Sequence, residues 1–360
     1  MPGKPAVDLP YYVKLAFIAL LVFLLFYLIY IGQGILLPLG FAFLFSILLR
    51  PIERYLTGKG VPRVISILCC LLVFVLVIFL LISFISNQVT ALADDFPKIK
   101  RSLNGLWHDS QVWLNEKLNI PYAKQDKMAE DAKDQAVNTM GPATLNIVTV
   151  MLVLLPVYIF MFLLYRPLLM QFIVEIFERN HADRVREILN EIRSVVQHFV
   201  TGVLFETTLV AVLNVTGLLI IGAPYAILLG VLGAIINMIP YIGGIVQLIL
   251  SGLIVYSNNN SVSDMLWAMG ILLAVQGIDN YVLMPRIVGS RVNLNGLVSI
   301  TGVLAGGAIA GIGGMFLSIP FLAITKTIFD RVEPLQPYGK VMGANIDNGE
   351  KKKPTGRRKT

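Results

Sequence analysis

INMIPYIGG, residues Ile236–Gly244, interrupts a long run, Thr207–Ser263, that contains no Asp, Glu, Lys or Arg. An asparagine, a proline and two adjacent glycines are poor material for the middle of a membrane helix. Proline removes an amide donor, and glycine costs backbone entropy. How this break is read decides the fold. Around it, the 360-residue chain is 56% hydrophobic and 14% charged, with a mean hydropathy of +0.75. Soluble domains carry about 25% charged residues, so the composition describes an integral membrane protein whose first partner is the lipid bilayer.

Leu15–Leu49 is free of charge and is interrupted at Gly32-Gln33-Gly34. A span needs about 20 apolar residues, so two helices joined by a tight turn are expected. Lys4 and Lys14 before this stretch imitate a signal peptide. No small-residue cleavage site follows, and the first helix is expected to stay. Arg50, Arg54, Lys59 and Arg63 read as a cytoplasmic loop, and Val64–Ala93 as a third helix. Residues 1–86 thus form an N-terminal membrane unit. The polar insert 87–142 places Leu92, Phe96, Ile99, Leu103, Leu106 and Trp107 at helical spacing, which predicts a small helical domain on the extracytoplasmic side. Residues 143–165 form a fourth membrane helix, kinked at Pro156. In 166–200 arginines alternate with acids beside apolar stripes, the pattern of cytoplasmic amphipathic helices. The tail 331–360 ends KKKPTGRRKT, and a basic end after the last apolar segment reads as cytoplasmic, near anionic lipid, with no nucleic-acid role.

Several chemistries are disfavoured. Cys69 and Cys70 are adjacent inside an apolar run and cannot build a disulfide framework. His181 and His198 stand singly, without metal-ligand spacing. No metal or organic cofactor is expected, and neither a Walker A motif nor a nucleophile–histidine pair is present, so neither an ATP-driven engine nor an enzyme is expected.

Tyr225–Tyr256, with INMIPYIGG at its middle, and Val292–Thr325, centred on GGAIAGIGG (306–314), are both uncharged. Each is too long for one upright span and too short for two spans and a turn. If both cross the membrane, the Asn-rich loop 257–264 is cytoplasmic without a Lys or Arg, and Arg286 and Arg291 lie outside, against the positive-inside tendency. If both are re-entrant hairpins, the loop lies outside and the arginines and tail inside. The hairpin reading is preferred. The expected fold is an all-α multi-pass membrane protein with about six full transmembrane helices and two re-entrant or broken hairpins. The alternative is eight transmembrane helices. Within 201–330, a helix followed by a hairpin occurs twice in opposite orientation, faintly echoed by GVLGAI (230–235) and GVLAGGAI (302–309). Paired discontinuous segments in two inverted halves point to a transporter's binding site.

Irregular backbone at membrane depth is tolerated only in a protein interior or lining a watery cavity. Asn237, the carbonyls released by Pro240, and Gly243, Gly244 and Gln247 are therefore candidates for binding a solute or ion from the first hairpin. Gly307, Gly311 and Gly314 are the candidates from the second. Glu206, Asp279, Asn280 and Arg286 are coupling or ion-pair candidates, because ionisable residues inside membranes are functional by default. Asp279 and Arg286 could pair if the Pro285 turn folds back, and Asn214 and Gln276 are weaker candidates.

GAPYAILLGVLGAIINMIPYIGGIV (222–246) and DNYVLMPRIVGSRVNLNGLVSITGVLAGGAIAGIGGMFLSIPFLAI (279–324) resemble the middle and C-terminal motifs of the autoinducer-2 exporter-like transporter family. The order of parts is also similar: two helices, a third, an insert, a fourth, then the signature half. The matching motif positions are Asn237, Pro240, Gly243, Asp279, Asn280, Pro285, Gly289, Gly307, Gly314 and Pro320. Asn295-Gly296 stands where the family often has a proline. The resemblance implies a secondary permease or exporter of the bacterial cytoplasmic membrane, with both termini cytoplasmic. It would move a small polar solute such as a signalling molecule, with H+ or Na+ as candidate coupling ion. A Na+/H+ antiporter of the same family, or an uncoupled channel or scaffold, is the alternative, and a homo-oligomer is a candidate assembly.

Overall fold

The computed structural model describes residues 10–94, 96–118, 121–127, 130, 142–177, 181–239, 243–288 and 294–343. Helices α1 (Tyr11–Ile31), α2 (Gln33–Gly58) and α3 (Arg63–Asp94) open the chain. Helix α4 (Phe96–Leu118) and a short helical turn at 122–127 form the described part of the insert. Helices α5 (Pro142–Ile176) and α6 (Ala182–Ile220) follow, then α7 (Ala226–Asn237), α8 (Gly243–Asn259) and α9 (Val262–Ile278). A π turn (Asp279–Leu283) and the short α10 (Met284–Ile287) extend α9, and α11 (Gly296–Arg331) and α12 (Gln336–Met342) complete the described fold. Seven helices among the described residues are long and apolar enough to cross a membrane.

Exposure shows what surrounds them. Helix α1 buries no residue, and Leu21, Phe23 and Leu28 are each more than 60% exposed. A water-facing surface of this kind would aggregate; in a membrane protein it faces lipid. The chain is therefore an all-helical, multi-pass membrane protein.

Four apolar clusters among the described residues hold the bundle, the smallest of them Val210 of α6, Ala234 of α7 and Val275 of α9. Ala42 and Leu49 of α2, Ile67 and Cys70 of α3, and Ile159 and Leu163 of α5 tie the N-terminal helices together. Leu37 and Leu44 of α2 then meet Val196, Phe199 and Val203 of α6 and Leu317 of α11. A third cluster joins Leu218 of α6, Leu229 of α7, Val255 of α8 and Ala268 of α9.

The two uncharged runs double back. Helices α7 and α8 are antiparallel arms, with Gly233 of α7 directly against Gln247 of α8. Helix α11 is two helical arms joined by a fold at Ala310 (φ −141°, ψ 27°) and Gly311 (φ 57°, ψ −146°). In a straight helix Gly302 and Leu322 would lie about 30 Å apart at 1.5 Å per residue. Here a Cβ on Gly302 would collide with the Leu322 side chain, and Gly306 touches the backbone of Gly314. Gly311 occupies a backbone region open essentially to glycine alone. Of the seven long apolar helices among the described residues, this one is a hairpin, which leaves six of a length and composition to cross.

The amphipathic stretch 166–200 differs from its expected form. It is not a separate pair of helices: 166–176 extends α5 and 182–200 extends α6. Nothing between Ala182 and Ile220 breaks the helix, and Gly202 sits where a Cβ would press on the Ile287 carbonyl. The third helix likewise runs on to Asp94, into the insert.

Candidate functional site

The first hairpin points its tip at two acids. Glu206, on α6, lies about 21 Å along the axis from Ile220, the end at which α7 begins. The twelve residues of α7 carry the chain about 18 Å back in the same direction. The tip therefore reaches the level of Glu206. At that level Asn237 Nδ2 donates to Asp279 Oδ2 at 2.9 Å. The Glu206 carboxyl neighbours that of Asp279, and both line one cavity. Both acids are buried, at 8% and 2% exposure, and Asp279 Oδ1 has no donor among the described residues.

Asp279 opens the π turn, in which the Met284 amide reaches back to the Asp279 carbonyl. Pro285, one residue further on, has no amide to offer, and the widened turn accommodates that loss. Single π turns inside longer helices frequently mark functional positions. The sequence carried a signal for it, the proline six residues after a buried acid.

A cavity of about 670 Å³ lies beside these groups. Glu206, Asn237, Gln247, Gln276, Asp279 and Asn280 supply its polar wall, and Phe199, Met238, Leu272, Val288, Phe316 and Ile319 much of its apolar one. Gln247 is buried, its Nε2 without a partner among the described residues, and Gln276 Nε2 donates to Asn280 Oδ1 at 3.4 Å. Asn214 is also buried, its amide nitrogen likewise without a partner among the described residues, but it does not line the cavity.

The expected site residues divide into three groups. Glu206, Asn237, Gly244, Gln247, Asp279 and Asn280 come together at the cavity. Gly243 and Gly244 act through closeness: a Cβ on the first would strike the Ile236 carbonyl, and one on the second the Gln276 side chain. Gly307, Gly311 and Gly314 lie away from the cavity wall and build the second hairpin's own turn and arm contact. Arg286 is exposed and forms no ion pair with the buried Asp279 among the described residues. Asn237 and Glu206 take that place instead. Pro240 and Gly289 lie outside the described residues. Met238 from the first tip and Ala310 and Phe316 from the second pack on one apolar cluster.

Residues 17–333 match the family profile described as AI-2E family transporter. The chain belongs to this family. Relatives agree: the candidate transport protein YueF of Bacillus subtilis is 26% identical over 310 residues, covering 81% of this chain and 82% of its own. The candidate transport protein MT0215 of Mycobacterium tuberculosis is 25% identical over 331 residues, 88% of each chain. YhhT of Escherichia coli K12, named in the same way, is 22% identical over 304 residues, 83% of this chain and 85% of its own. Family, exposed apolar helices and fold together make this AI-2E family member a membrane transport protein.

Proposed function

We propose that the protein is a secondary transporter of a small polar solute, coupled to protons through Glu206 and Asp279. One observation carries the reading: Asn237, at the tip of a re-entrant hairpin, donates to a buried aspartate that faces a second buried acid. Two ionised carboxylates are acceptors only and cannot bond each other; a single proton lets one donate to the other. When that proton leaves, the two charges repel in a poorly hydrated setting. Asp279 then has reason to exchange its partners, and Asn237 carries the change to the hairpin. A cavity of about 670 Å³ has room for a solute larger than an ion, with apolar walls and a few polar groups, as small-molecule sites have. The Gln247 amide and the cavity-facing Asn280 are the solute-binding groups in this scheme.

The setting is the bacterial cytoplasmic membrane, with the Asn-rich loop outside and the termini inside. Ser102 of the insert donates to the Ser257 carbonyl at 3.1 Å, which supports insert and loop sharing one side. In a background lacking Cys69 and Cys70, an impermeant thiol reagent should reach a cysteine at Asn259 from outside and one at Arg286 only from inside.

Purified protein in proteoliposomes tests the mechanism. Solute flux should follow an imposed proton gradient and fall to background in E206Q and D279N. Flux that follows only a sodium gradient would make the protein an antiporter or sodium symporter. Flux that ignores both gradients and never saturates would make it a channel.

A further inference from the structure

Three arginines at the opposite end of the bundle from the insert lack the counter-charges their neighbours have. Arg63 pairs with Glu53 at 3.7 Å, and Arg331 with Glu187 at 2.9 Å and Glu191 at 2.7 Å. Arg50 of α2, Arg166 of α5 and Arg193 of α6 have no carboxylate at ion-pairing distance among the described residues. All three are half-buried. The Nε atoms of Arg50 and Arg193 are enclosed without an acceptor among the described residues, and Arg166 and Arg193 are like-charged neighbours.

Packing brings Arg50 toward the same end, within about one helical turn of the other two along the bundle. Phe43 of α2 meets Phe162 of α5 with ring centroids 6.0 Å apart, and Leu44 shares a cluster with Val196 of α6. Helix α2 reaches Arg50 in under two further turns, the region where α5 presents Arg166 and α6 presents Arg193. Burying like charges without a counter-ion is costly, so the fold leaves a place for an anion.

We propose that Arg50, Arg166 and Arg193 hold the phosphate of an anionic phospholipid. Guanidinium groups bind phosphate with paired, planar donors. Their position favours a lipid over a free anion: Arg50 and Arg166 each end an uncharged apolar run, which sets them at headgroup depth. Directly beyond Arg166, α5 exposes Leu168, Phe172 and Ile176 along one stripe, at 63%, 59% and 62%. Past the end of a span, such a stripe fits the headgroup–acyl boundary, where a lipid held by the arginines would cover it.

The test compares thermal unfolding in nanodiscs of phosphatidylcholine with increasing phosphatidylglycerol, and in phosphatidylcholine with added inorganic phosphate. Wild type should gain stability with phosphatidylglycerol at low mole fraction. R166Q/R193Q should need about tenfold more of it, the scale of losing a charge-assisted hydrogen bond. In pure phosphatidylcholine the same variant should melt no lower than wild type, because a repulsion has been removed; this also shows that it folds. R54Q, which changes an exposed arginine at the same end, should behave as wild type. An unchanged phosphatidylglycerol response in R166Q/R193Q, or an equal response to inorganic phosphate, overturns the proposal.

Discussion

The two hairpins reverse the chain by different means, and the difference separates chemistry from packing. The first ends in Asn237, whose amide is committed to Asp279, and its tip opens on the cavity. The second turns on Ala310 and Gly311 alone, with its arms pressed together at Gly306 and Gly314. It contributes Ser299, Phe316 and Ile319 to the cavity wall but no charged group. The two hairpins are thus asymmetric: the first bonds a buried acid through Asn237, and the second presses its own arms together.

Substitutions can break this contrast. The largest functional effect is expected from the acids. D279N and E206Q should each lower gradient-driven flux about 100-fold or more, in line with removing an obligatory proton carrier, while the protein still folds. Next comes the second hairpin's turn. G314A should cost about 2–4 kcal/mol of stability through overpacking against the Gly306 backbone, seen as a lower melting temperature in nanodiscs. Flux per folded molecule should change far less than in D279N.

A smaller effect is expected at the first tip. N237A removes one hydrogen bond to a carboxylate, about 1.5–3 kcal/mol, and should reduce flux about tenfold or more with a modest change in melting. Flux unchanged in N237A would mean that the hairpin does not sense Asp279. The smallest effect belongs to R286Q: an exposed residue without an ion pair among the described residues should leave flux within about twofold and stability within about 0.5 kcal/mol.

Much of this was legible from residue order alone. Apolar run lengths and the distribution of Lys and Arg along them favoured hairpins over spans and left crossing helices as the alternative, because membrane thickness and charge placement act on the whole segment. Glu206 and Asp279 stood out as acids in an apolar setting. Their meeting was not legible. They come from helices far apart in sequence, and the Arg286 nearer to Asp279 in the chain was the more obvious partner. Only tertiary packing brings Asn237 and Glu206 to Asp279 and leaves Arg286 exposed. The role of Gly307, Gly311 and Gly314 was also ambiguous, since glycines serve binding loops and helix contacts alike. The conformation of Gly311 and the contact between Gly306 and Gly314 decide for contact. The continuity of α6 was hidden because a charged, amphipathic stretch and an apolar one look like two helices when nothing marks that their axis is shared.

The contrast between the two hairpins depends on the second uncharged run turning back on itself. Spin labels at Leu297 and Phe321, both exposed, read this directly by pulsed electron–electron distance measurement in nanodiscs. Antiparallel arms place the two backbones about 11 Å apart, from an arm spacing of 8–10 Å and an axial offset of about 6 Å. A straight α11 would separate them by about 36 Å. A single short-distance population is expected, and a population centred near the long distance would contradict the hairpin and the site built beside it.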